Sequence, residues 1–118
     1  MRIELGHLPD RRLNPNKRHH WSVVAKAKRN ARDHATALIL EQGKPAKPYA
    51  KAKISILFIA SDKRKRDIDN LFASMKPYID GLVNEIIEDD DAMRITYEIR
   101  FEQEPGEQEN TIIEIKEL

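Results

Sequence analysis

The sequence predicts a small single domain of the α+β class, with helices packed on a mixed sheet in the order β-α-β-α-β-β. Three observations lead there. At 118 residues the chain suits one compact domain and is short for two. Two stretches, 21–42 and 69–87, repeat apolar residues at three- and four-residue steps, the period of a helix facing a core. The remaining apolar stretches are short, β-branched or alternating, and turn residues separate them.

Ile3 and Leu5 alternate with Arg2, Glu4 and Gly6, which predicts a short first strand stopped by Pro9. Residues 7–19, HLPDRRLNPNKRH, are rich in Arg, Asn and Pro and read as a basic flexible loop. From Trp21 to Gln42, Val24, Ala27, Ala31, Ala35, Leu38 and Ile39 recur at helical steps, and Gly43 stops the helix by taking positive φ. Trp21 is expected to anchor that helix in the core, with stacking on a base as the alternative.

Ala52–Ala60 holds Ile54, Ile56, Leu57, Phe58 and Ile59, a run apolar enough for a central strand. A second helix is expected over about 69–87 from the stripe Ile68, Leu71, Phe72, Met75, Ile79, Leu82 and Ile86. Pro77 inside it cannot donate to the Ala73 carbonyl, so a kink is expected there. Ile95, Tyr97, Ile99 and Phe101 then alternate with polar residues, and Thr111–Leu118 repeats the alternation. Between them Glu104-Pro105-Gly106-Glu107 has turn chemistry, which predicts a hairpin of the last two strands.

The formal net charge of +1 conceals a division. Residues 1–66 carry 17 Lys or Arg against 5 Asp or Glu, and residues 67–118 carry 4 against 15. A basic half joined to an acidic half suits a chain that attracts a polyanion with one surface and holds cations in another, although solvated surfaces give such counts too. The absence of cysteine removes disulfide scaffolds, thiolate zinc sites and cysteine nucleophiles, and suits a reducing cytoplasm. No apolar run approaches the roughly 18 residues that span a bilayer, and Met1–Asp10 lacks a basic segment leading into an apolar one, so neither membrane insertion nor secretion is expected. Without a Gly-rich phosphate loop or dinucleotide fingerprint, no small-molecule cofactor is expected.

Two acidic clusters flank the second helix: Asp67 and Asp69 before it, and Glu88, Asp89, Asp90 and Asp91 after it. Side chains two apart in extended chain project to one side, so Asp67 and Asp69 can aim at a common point. Three converging carboxylates would repel and require a cation, for which Mg²⁺ or Mn²⁺ fits an all-oxygen donor set. The strand from Ile95 is the element that would bring Asp90 or Asp91 beside the one feeding Asp67. Lys76 shares a helix face with Asp69 and Asp80, and reads either as a plain ion pair with Asp80 or as a cation near a phosphate. For the acids the plainer readings are a helix cap and a solvated acidic loop.

Taken in order, Arg64-Lys65-Arg66-Asp67-Ile68-Asp69-Asn70-Leu71, Lys76, Asp80-Gly81-Leu82 and Asp89-Asp90-Asp91 resemble the RusA family of Holliday junction resolvases. That family carries a basic run into Asp-x-Asp-Asn-Leu, a lysine before Asp-[Ala/Gly]-Leu, and an Asp pair ahead of a strand. The resemblance implies a homodimeric, Mg²⁺-dependent endonuclease that cuts four-way DNA junctions symmetrically, bacterial or phage-encoded. It implies that Asp67 and Asp69 are metal ligands, that Asp91 or Asp90 is the third, and that Lys76 is the catalytic lysine. The interval from Asp69 to Lys76 is about one helical turn longer than in the short form of the family motif. Arg11, Arg12, Lys17 and Arg18 in the loop, with Lys63, Lys65 and Arg66 beside the motif, are the expected DNA contacts. The alternative is a non-catalytic DNA-binding module whose acidic half meets a partner.

Overall fold

The computed structural model describes residues 1–118. Four strands, β1 (Arg2–Glu4), β2 (Ala52–Ala60), β3 (Ile95–Gln103) and β4 (Asn110–Glu117), form one mixed sheet in the order β1-β4-β2-β3. Three helices, α1 (Trp21–Gln42), α2 (Ile68–Ala73) and α3 (Lys76–Asp80), and a 3-10 turn at Arg11–Leu13 complete the domain. The α+β class is as the sequence predicts, and β2 lies inside the sheet.

Alternation along β2 explains which face is covered. Ala52, Ile54, Ile56, Phe58 and Ala60 are buried, and the residues between them are half-exposed. Ile54 stands opposite Tyr97 and Ile115, and Ile56 opposite Ile99 and Ile113, so apolar rows align across three strands. From α1, Ala27, Ala31, Ala35 and Ile39 join that core at one residue per turn. The three alanines let neighbouring elements come close. At Gly81, directly after α3, a Cβ would lie 2.6 Å from the Arg32 carbonyl of α1, so only glycine fits the crossing.

The second helix is shorter than expected and divided. α2 ends at Ala73, and the chain resumes as α3 at Lys76. Pro77 removes the donor that would have satisfied Ala73, and the Ser74 hydroxyl bonds back to the Asn70 carbonyl at 2.8 Å, closing the first segment. Residues 81–87 are turns rather than helix. Tyr49 holds them by donating to the Ile86 carbonyl (2.7 Å) and accepting from Glu88 N (3.0 Å), and Asn84 takes φ 69°.

β3 and β4 do not form the expected hairpin. β2 stands between them, parallel to β3 and antiparallel to β4. Strands two places apart lie roughly 10 Å from one another, too far for a tight turn. The connection crosses the end of β2, where Glu104 N donates to the Ala60 carbonyl and Gly106 N to the Ser61 carbonyl. No helix is long and apolar enough to cross a membrane.

Candidate nucleic-acid interface and acidic cluster

β2 delivers the chain to the segment Ser61–Arg66, and the loop after β1 comes to lie against it. Leu8 and Leu13 of that loop are buried in the core. Leu8 N donates to Glu109 (2.7 Å) and Asp10 N to the Tyr78 hydroxyl (3.1 Å). The polar residues between these anchors are thereby held over the motif. The result is a cleft of about 820 Å³ walled by Arg11 and Lys17 on one side and Arg64, Lys65 and Arg66 on the other, with Asp67 and Asn70 at its margin.

Ion pairing determines which of these cations are free. Arg66 is taken by Asp62 at 2.8 and 3.2 Å. The guanidinium, together with Arg64 N, holds the Asp62 carboxyl down at about 2. Arg12 is likewise bound to Asp10, whose carboxyl lies below its usual range because of that bond. Arg11, Lys17, Arg64 and Lys65 have no carboxylate partner. Arg64 was not among the expected contacts, and it lines the cleft where Lys63 and Arg18 do not.

A second depression of about 460 Å³ shares Asn14 and Lys17 with the first. Arg12, Lys28, Arg32, Lys76 and Asp80 line it. Lys28 and Arg32 were also not expected, yet their spacing of four on α1 puts both on one face, a signal the sequence carried. Trp21 lies on that same face three turns earlier than Arg32, and it is 76% exposed rather than buried. Its indole rests against His20, with ring centroids 5.5 Å apart.

Lys76 has two carboxylate partners. Its ammonium donates to Asp80 at 2.8 Å and to Asp90 in a closer contact. Those hydrogen bonds, Asp80 first, raise the lysine above its ordinary range, and the lysine lowers Asp90. Tyr97 is pushed up to about 12 by burial and then by the nearby Asp90 charge. Phe72 of α2 packs edge-on against the Tyr97 ring at 4.9 Å.

Asp90, not Asp91, meets the lysine. The Asp91 carboxylate accepts from Met93 N (2.9 Å) and Arg94 N (3.2 Å) and lies 3.0 Å from Arg94 Nε, so it shapes the turn into β3. Asp67 sits at the N-cap position of α2 without a side-chain capping bond, its one contact being Asn70 Nδ2 at 3.5 Å. Asp69 is exposed in the first turn and has no partner.

No family model and no curated protein matches the chain. The grounds for a function are therefore its own residues. The four aspartates do not gather: no group of three or more Asp, Glu or His side chains is placed to hold a metal ion. Topology gives the reason. β2 and β3 run parallel, so Asp67 follows the end of β2 while Asp90 and Asp91 precede the start of β3, at opposite ends of the pair. Within one chain, Asp67 and Asp69 do not share a site with Asp90 and Asp91 that would surround an ion.

Proposed function

We propose that the chain is a structure-selective DNA endonuclease of the RusA type, acting on four-way junctions as a homodimer with Mg²⁺, or Mn²⁺, as the implied ion. The observation that supports the DNA half of this reading is the cleft in which unpaired cations from two distant segments, Arg11 and Lys17 with Arg64 and Lys65, meet beside Asp67. Phosphates spaced along a backbone are the natural counter-charge for such a wall. Lys28 and Arg32 extend the positive surface along α1 toward Lys76 and the exposed indole of Trp21.

The cleavage half rests on the motif from Arg64 to Leu71 and on Asp67 and Asp69, exposed carboxylates with no ion-pair partner. Because the carboxylates are apart, the reaction is assigned only by class, hydrolysis of a phosphodiester. Lys76 offsets one of the two charges of Asp80 and Asp90, and Arg12, Lys28 and Arg32 line the same depression as further cations for a phosphate.

One observation favours the non-catalytic module as a second reading. Asp90 and Asp80 are already satisfied by the lysine. Incubation of a labelled four-way junction with Mg²⁺ or Mn²⁺ separates the two. The proposal expects paired nicks near the branch point, abolished by Asp69→Asn while binding survives. Binding without cutting under either ion supports the module and removes the enzyme.

A further inference from the structure

The two hollows beside the basic loop differ in chemistry. Charged and polar side chains make up most of the wall of the 820 Å³ cleft, which suits the phosphates of a backbone. The neighbouring depression of about 460 Å³ is lined in part by Leu13, Val24 and Pro77, with Pro15 and Ala73 exposed beside them. Lys17, Lys28 and Arg32 line it too and have no carboxylate partner. Its one acid, Asp80, is bound to Lys76 at 2.8 Å. Asn14 and Lys17 border both hollows. Their turn is closed by Asn16 N on Asn14 Oδ1 (2.9 Å) and by Lys17 N on the Asn14 carbonyl (3.0 Å), so it stands as a partition between two cationic tracks. α1 carries the second track outward. Lys28 and Arg32 follow Trp21 on one face of the helix, roughly 10 and 16 Å further along its axis, and Val24 lies one turn after the indole.

We propose that this depression and Trp21 hold an unpaired DNA strand while the cleft holds the duplex that the strand leaves, so that one chain reads the place where paired strands part. The proposal rests on the DNA-binding half of the endonuclease reading and not on cleavage. Lys17, Lys28 and Arg32 supply the counter-charge for the strand's phosphates. A second duplex arm would use those cations equally well. It would have no use for the apolar lining or for the indole, because its bases are stacked on one another and it presents phosphate and sugar outward. An unpaired base has a free π-face, and an aromatic ring beside a basic groove is the platform on which such bases stack. Trp21 is that ring: it is 76% exposed and lies beside His20, whose Nδ1 accepts from Ser22 N at 3.2 Å.

Fluorescence anisotropy without divalent ion compares a blunt duplex with a fork of equal duplex length that carries one unpaired arm of about 12 thymidines. Wild type is expected to bind the fork about tenfold or more tightly. Trp21→Ala should lower fork affinity about tenfold and duplex affinity much less. Lys28→Ala/Arg32→Ala should reduce the salt slope of fork binding by about 1.4, roughly 0.7 for each single-strand phosphate released. A photoreactive uracil in the unpaired arm should cross-link to α1. Equal wild-type affinity for the two DNAs, a fork preference that Trp21→Ala leaves intact, or cross-links confined to the cleft overturns the proposal. Equal losses of fork and duplex binding in Trp21→Ala overturn it as well, by placing paired DNA on α1. Failure to cut a junction would leave these results standing and remove the enzyme alone, whereas cutting without a fork preference would remove the unpaired-strand track alone.

Discussion

Lys76 sits between two carboxylates, and its protonation sets the local field. Asp90 is held below its ordinary range by the lysine and Asp62 by Arg66, so each pair contributes stability that is complete above the usual carboxylate range. That contribution fades as the pH falls through the depressed folded values, toward about 2 for Asp62. Thermal melts from pH 7 to pH 2 are therefore expected to show wild type losing its small advantage over Asp90→Asn below about pH 4. Parallel curves would mean that the Lys76–Asp90 pair contributes nothing. Trp21, the one tryptophan, reports on its own surroundings. Its fluorescence should be quenched by single-stranded oligonucleotide more than by duplex, and Trp21→Ala should weaken that binding by about 1–3 kcal/mol. Unchanged emission on saturation would exclude stacking.

Among the elements, the α1–α3 crossing admits a sharp expectation. Gly81→Ala must displace the Arg32 carbonyl or move α3, at a cost of about 1–3 kcal/mol that urea denaturation will read as a lower midpoint. An unchanged midpoint would show that the crossing is loose. α1 and β2 were legible to the residue because their periods run uninterrupted for several turns or pairs and Gly43, at φ 96°, closes the helix. The last two strands were legible one by one, but their partners were not. Turn chemistry at Glu104–Glu107 is local, and it says nothing of β2, which is nearly as apolar and takes the place between them. The second helix was over-extended because the stripe from Leu82 to Ile86 is apolar in a turn as in a helix; those residues are buried against Tyr49 by backbone bonds that periodicity cannot register. Trp21 was misplaced because a large ring predicts burial on average, whereas its position before the first buried turn of α1 leaves it in water.

For the whole molecule, the division of charge becomes a division of surface. The basic half supplies the cations on both walls of the cleft, and the acidic half holds Lys76 and the turn into β3. Legibility of the site follows the same line. Loop cations could be named from composition, while the choice among Lys63, Arg64 and Lys65, and the part of α1, needed the fold, because side-chain direction in an irregular segment has no period to read. The separation of Asp67 from Asp90 likewise depends on strand direction, which single-sequence patterns do not carry.

The claim on which this account turns is that two basic segments grip one nucleic-acid backbone in the cleft. Junction affinity measured against salt tests it most directly, with wild type beside Lys17→Ala/Arg64→Ala/Lys65→Ala. The account predicts a steep wild-type dependence and a slope reduced by about 2–3 in the triple variant, roughly 0.9 for each phosphate that is no longer neutralised. Equal slopes, with equal affinity, would contradict it.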